Sequence, residues 1–304
     1  MDLPEYRVSP FLFLGCAFIF AGVYFFSPWV WILPWALTFS ILFGWLASIQ
    51  ILNRYASLFP PRVARGIHWI HAMSFEGFAV AGIVLSHMAH LFGLIKKPVK
   101  FSSGRPILLV HGYFNDSSVW LYQQKQLQEA GLGPIYTIDL GYPFLSIVNY
   151  AEKVAEKAEL IAEETGRDDL VLIGYSMGGL VSAWYALKLA PPGKVTDLIT
   201  IGAPFAGTPI ARIGIGRNAR EMQCNSDFIK KTRLAIESNS HIRFYHILSK
   251  SDELVFPAEK TALLGMDQAR QLIVEDVGHA GLIYSNQVSQ QLCSWLKDIE
   301  RVPK

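Results

Sequence analysis

The sequence predicts an α/β fold: a mostly parallel sheet of about six strands, covered by helices on both faces and preceded by an apolar helical hairpin. Three observations carry this. Short apolar runs at 106–111, 135–139, 170–174, 196–201, 243–248 and 271–275 alternate with segments of helical character, the order that builds a parallel sheet. The third run passes through Gly174-Tyr175-Ser176-Met177-Gly178 into the helix-like segment Leu180–Leu189. Ahead of all of them, Val8 to Asn53 carries no charged side chain.

That uncharged run is 46 residues, about 69 Å as helix against a hydrocarbon core of about 30 Å. Two spans with a turn between them fit the length. Ser27-Pro28 and Pro34 mark the turn, giving spans at about Pro10–Phe26 and Trp35–Leu52, and Trp29, Trp31 and Trp35 resemble an interfacial aromatic belt. Asp2 and Glu5 replace the basic start expected of a cleavable signal peptide. The domain plan is therefore two transmembrane helices over 1–60, an apolar helical segment and linker over 61–100, and an α/β domain over 101–304.

The middle segment leaves choices open. After Pro60-Pro61, Gly66–Ile95 holds one formal charge, Glu76. Gly77–Ile95 is long enough for a third span, but His87 and His90 interrupt it, and it could equally lie along the interface or pack on the following domain. Arg54, Arg62 and Arg65 favour a cytoplasmic side after the second span, and Lys96, Lys97, Lys100 and Arg105 oppose translocation beyond it. The expectation is a multi-pass membrane protein whose α/β domain faces the cytoplasm.

Within that domain, Ile147–Glu164 places Ile147, Val148, Ala151, Val154, Ala155, Ala158 and Ile161 in a helical stripe with charges opposite, and Gly166 follows as a stop. The long connection Phe205–Ser240 mixes Ile210, Ile213, Ile215 and Phe228 with Arg212, Arg217, Arg220, Lys230, Lys231 and Arg233. It reads either as a small lid over an apolar pocket or as a surface helix pair with a solvated basic face.

Chemistry concentrates at the strand ends. A serine on a sharp strand-to-helix turn between glycines is lifted out of the sheet as a nucleophile. It needs a base, an acid and an oxyanion hole, with the acid and base following in chain order. His279 stands in Gly278-His279-Ala280-Gly281-Leu282, past the last strand. His246 lies inside an apolar strand and reads as a core histidine, while His241 comes too early. Asp252 follows the fifth strand in Ser251-Asp252-Glu253-Leu254-Val255 and is preferred to Glu253, Asp276 and Asp139. The first strand runs into His111-Gly112-Tyr113, so the main-chain N–H groups of Tyr113 and Met177 would form the oxyanion hole. His111 itself reads as a structural hydrogen bonder beneath the site.

These pieces, in this order, resemble the α/β-hydrolase superfamily, specifically its bacterial lipase and lipase-like branch, over about 104–300. Gly202-Ala203-Pro204-Phe205-Ala206-Gly207-Thr208 is similar to a G-[TA]-P-x-x-G-T segment common in these lipases. The resemblance implies a compact version of the fold, without the opening antiparallel strands of larger members. It also implies carboxylic-ester hydrolysis through an acyl-serine by Ser176, Asp252 and His279, with no metal or cofactor. Charged residues are 17% of the chain and the net charge is +2, which gives no basis for nucleic-acid binding. Spaced i,i+3, His68 and His71, like His87 and His90, read as interface or packing histidines rather than as a metal site. The function expected is a membrane-anchored serine hydrolase of lipid or other hydrophobic acyl esters, its partners the substrate and the bilayer. The alternatives are an acyltransferase with the same triad, or an inactive membrane-anchored interaction protein.

Overall fold

Six parallel strands in the order β2-β1-β3-β4-β5-β6 form the centre of the molecule, seen in a computed structural model that describes residues 61–94, 104–263 and 269–301. They are β1 Ile107–Val110, β2 Ile135–Ile138, β3 Leu170–Tyr175, β4 Val195–Ile201, β5 Arg243–Ser249 and β6 Ala269–Val274. All five pairings are parallel. The expected hairpin at 10–52 lies outside the described residues.

Side chains alternate across this sheet as the period of two requires. Leu108, Val110, Leu172, Leu198 and Phe244 turn to one face, with α3 Ile147–Thr165, α4 Met177–Trp184 and α6 Asp227–Glu237. Ile107, Leu109, Val171, Ile173, Ile199 and Ile247 turn to the other, with α2 Leu121–Glu129 and α9 Asn286–Arg301. Each fully buried Leu or Ile stabilises this packing by about 1.5–3 kcal/mol relative to exposure. The helix ends are specified locally. Ser146 caps α3 by accepting from the Asn149 N–H at 3.2 Å, and Gly166 ends it with φ 67°.

Between β3 and β4, α4 passes directly into a π-helical turn at Tyr185–Leu189, so the helix expected from Leu180 begins three residues earlier. The 205–240 connection folds into a 3₁₀ turn at Pro209–Arg212, α5 Arg217–Glu221 and α6. Phe228, Ile229 and Ile236 of α6 belong to the core, whereas Ile213 and Ile215 before α5 are exposed. A further short helix, α7 Ala258–Thr261, precedes β6.

The segment after Pro60 is one helix, α1 Pro61–Leu91. Among the described residues, Ile70–Leu91 is the one helical stretch long and apolar enough, by length and composition, to cross a membrane. It packs sideways on the α/β domain through a stripe containing Ala72, Glu76, Ala79 and Ile83. His87 pairs with Asp116, and Ser86 Oγ lies 3.3 Å from Ser118 Oγ.

The sheet also decides where function can reside. Chain order runs from β1 to β2 on one side, then from β3 outward on the other. Open α/β sheets carry their crevice at the carboxyl ends beside such a reversal. At the opposite, amino end, buried Asp197 of β4 accepts from Arg105 Nη1, just before β1, at 2.9 Å and from Arg243 Nε of β5 at 2.8 Å, tying these strands together away from the crevice.

Candidate active site

Ser176 follows β3 at that reversal, with φ 54°. A non-glycine residue there costs about 1–2 kcal/mol, and the surroundings enforce it. The Ser176 N–H donates to the Ile201 carbonyl at 2.8 Å, and its carbonyl accepts from the Gly179 N–H at 2.9 Å. The flanking glycines answer to close approach. A Cβ on Gly178 would stand 2.2 Å from the Val110 carbonyl oxygen, and one on Gly174 would stand 2.4 Å from that of Gly178.

His279 occupies the loop between β6 and the short helix α8 Gly281–Tyr284. Its Nε2 is 2.9 Å from Ser176 Oγ and its Nδ1 is 2.7 Å from Asp252 Oδ2. The other Asp252 oxygen accepts from the main-chain N–H groups of Leu254 at 2.9 Å and Val255 at 2.6 Å. A fully accepting carboxylate requires the proton on Nδ1, which leaves the Nε2 lone pair facing the serine hydroxyl. Burial disfavours the imidazolium of His279. The charge and hydrogen bond of Asp252, with Glu253 and Glu76 behind it, outweigh that and hold it at about 9.

The surrounding residues fix this ring. The Tyr175 hydroxyl donates to the His279 carbonyl at 3.1 Å, and its ring stacks on the imidazole with centroids 5.1 Å apart. Gly202 has φ 59°, and a Cβ on it would approach His279 Cε1 to 3.1 Å. Thr208, from the Gly202–Thr208 segment, donates through Oγ1 to the Leu254 carbonyl and so braces the Asp252 loop. Beside the serine, a Cβ on Gly112 would meet Ser176 Cβ at 3.0 Å, so the loop carrying Tyr113 runs alongside it. Met177 opens α4 directly after the serine.

The structure thus brings Ser176, Asp252 and His279 together. It keeps His246, His241 and Asp139 apart from them. His246 is buried in β5 with Nδ1 2.8 Å from Thr200 Oγ1, and burial drops it to about 3. His241 is exposed beside Ser240. Asp139 accepts from the Ser117 N–H at 2.6 Å. His111 is buried, accepts from the Leu140 N–H through Nε2 at 3.0 Å and donates through Nδ1 to the Gly112 carbonyl at 2.9 Å. Burial lowers its pKa, so it stays neutral. No cluster of three His, Cys, Asp or Glu able to hold a metal occurs among the described residues.

Tyr175 and Glu76 were not given a role in the site from sequence, and Glu253 was weighed only as an alternative acid. Glu253 accepts from the His279 N–H at 3.2 Å, and Glu76 accepts from the next two main-chain N–H groups. The available signal was Glu76 itself, a lone charge in an otherwise uncharged helix.

Residues 107–237 match the alpha/beta hydrolase family. The chain has the fold of an α/β hydrolase. The chain is 32% identical over 104 residues to a pimeloyl-[acyl-carrier protein] methyl ester esterase of Vibrio campbellii, covering 34% of this chain and 39% of that protein. It is also 32% identical over 104 residues to a probable alcohol acetyltransferase of Wickerhamomyces anomalus, covering 32% and 28% of the two chains. The matched stretch therefore spans about two fifths or less of these curated relatives. A mature lipase of Bacillus licheniformis superposes with a TM-score of 0.56 at 18% identity, over 66% of this chain and 96% of the lipase. A third of this chain lies outside the lipase overlap.

Proposed function

We propose that this α/β hydrolase is a membrane-anchored serine hydrolase that cleaves carboxylic esters of lipids or other hydrophobic acyl compounds. The observation that carries the reading is the hydrogen-bonded series Ser176 Oγ, His279 Nε2, His279 Nδ1, Asp252 Oδ2, at 2.9 and 2.7 Å, starting from a strained serine at a strand end.

In this mechanism Ser176 Oγ bonds to the ester carbonyl carbon as its proton passes to His279 Nε2. The Tyr113 and Met177 N–H groups hold the oxyanion, a contribution of about 3–4 kcal/mol per donor. The carbon–oxygen bond to the alcohol then breaks, and the leaving oxygen takes the proton from Nε2. A water molecule repeats the sequence: its proton goes to Nε2, its oxygen bonds to the acyl carbon, and the Ser176 ester bond breaks with return of the proton to Oγ. Asp252 keeps the imidazole in the required tautomer throughout.

The substrate class is supported by the surface around the Tyr113 loop. Phe114, Tyr142, Ile213 and Ile215 are exposed there by 58–68%, and Phe144 links Phe114 to Tyr142 by ring contacts of 5.6 and 5.4 Å. Since α6 contributes to the core, the part of 205–240 best suited to act as a lid is 209–216. Membrane anchoring rests on the uncharged run from Val8 to Asn53. Because α1 lies along the hydrolase domain, two spans suffice, and the domain shares the cytoplasmic side assigned to Arg54, Arg62 and Arg65.

Fluorophosphonate labelling of isolated membranes, wild type against Ser176→Ala, tests the nucleophile; labelling equal in both would end the proposal. Activity on short soluble esters with none on lipids would end its lipid part. A second reading, acyl transfer to an alcohol in place of water, is favoured by the likeness to an alcohol acetyltransferase. Product analysis with an added acceptor alcohol separates the two.

A further inference from the structure

The histidine loop is held from outside the α/β core. Glu76 lies in the middle of α1 and is only 8% exposed. Its Oε1 accepts from the Ala280 N–H at 2.6 Å and its Oε2 from the Gly281 N–H at 2.8 Å. The preceding donor, the His279 N–H, goes to Glu253. Three consecutive main-chain N–H groups around the imidazole are therefore satisfied by two carboxyl groups, one from α1 and one beside Asp252.

The fit is close enough to specify the neighbours. A Cβ on Gly278 would stand 2.4 Å from Glu76 Oε2 and 2.8 Å from Glu253 Oε2, so the two carboxyl groups meet over that glycine. A Cβ on Gly281 would stand 2.9 Å from the Phe75 ring. Aliphatic packing against α1 could fill this space, yet an ionisable group is buried there, a costly choice unless its hydrogen bonds are used. Burial, followed by the facing Glu253, pushes Glu76 up to about 8. Ionised, Glu76 adds a negative charge that favours the imidazolium of His279.

We propose that Glu76 is a positioning residue for His279, seating the imidazole against Ser176 by holding the 279–281 main chain. This rests on the serine-hydrolase reading above. Glu76 lies upstream of residues 107–237, the stretch that matches the family. Glu76 belongs to α1, and α1 thereby makes the geometry of the reacting groups depend on its own docking.

The groups facing His279 are Asp252 and Glu253 from the loop after β5, Glu76 from α1, and Tyr175 from β3. Glu76→Gln keeps the side chain's size but puts an NH₂ group where one carboxyl oxygen accepts, and it removes the charge that appears when the pair ionises. Glu76→Ala removes the support altogether.

The test uses the full chain in membranes, with p-nitrophenyl butyrate hydrolysis and fluorophosphonate labelling measured from pH 5 to 10, and thermal melting in parallel. Glu76→Ala is expected to lower kcat by about 10- to 100-fold, since misplacement of a reacting group by about 1 Å costs that much, with KM within about twofold. Glu76→Gln is expected to melt as wild type, to lose several-fold in kcat, and to shift the acid limb of kcat/KM to lower pH. Glu76→Gln with wild-type kcat and an unmoved acid limb would overturn the proposal, whatever Glu76→Ala does to folding. Failure of the underlying reading is distinguishable, because Ser176→Ala would then retain labelling and hydrolysis.

Discussion

Replacing Gly178 with alanine tests the oxyanion geometry at one atom's cost. The new Cβ would lie 2.2 Å from the Val110 carbonyl oxygen and 2.5 Å from that of His111. Real Cβ atoms essentially never come within 3.0 Å, so the chain must open there by about 0.8 Å. Both obstacles are main chain, and neither can rotate away. The two elements forced apart are the end of β1, which leads to Tyr113, and the first turn of α4, which begins at Met177. The proposed pair of oxyanion donors is thus separated directly. Misplacement on this scale predicts a loss of about 100-fold in kcat, with an overpacking cost of about 1–3 kcal/mol. For a domain of this size that lowers Tm by roughly 2–10 °C. Steady-state hydrolysis and calorimetry measure the two effects. Gly131→Ala is the control: φ there is 74° but nothing lies within 4 Å of the added atom, so only a stability loss of about 1 kcal/mol is expected. A Gly178→Ala enzyme with wild-type kcat would refute the placement of the oxyanion hole.

Two further outcomes follow from the same geometry. Asp252→Asn offers its amide N–H₂ where an acceptor is needed and favours the wrong imidazole tautomer, so kcat should fall by about 10³- to 10⁴-fold with the fold intact by circular dichroism; a loss under tenfold would exclude Asp252 as the orienting carboxylate. The pH profile follows from His279. Its base form must be neutral, and its pKa is raised to about 9, so kcat/KM should climb with pH through the neutral range, reach half its limit near 9 and level off above that. A profile already flat at pH 6 would contradict this.

The fold was legible because its determinants are local. Alternating apolar runs located all six strands to within about two residues, Gly166 marked the end of α3, and the Gly-Tyr-Ser-Met-Gly-Gly turn located the serine on its strand end. Asp252 and His279 were readable by chain order alone, since a parallel sheet sends every strand's carboxyl end to the same side. Long-range supports were not. Nothing local joins Glu76 to Ala280, 204 residues away, and an apolar helix with one acid reads equally as a span or as a docked helix. Thr208 and Tyr175 were hidden for the same reason: each acts through a hydrogen bond to a distant carbonyl. Periodicity also gave no warning of the π-helical turn after α4.

The sideways packing of α1 has a practical bearing on where this hydrolase can be cut. A shortened chain starting at Gly104 would hold every element of the family match and all three residues of the Ser176 series. It would also leave the Ala280 and Gly281 amides without their acceptor and bare the far side of the histidine loop to water. Such a fragment would remain recognisable by its sheet while understating the turnover of the whole protein. On the proposed role of Glu76, a cut that preserves activity has to retain α1.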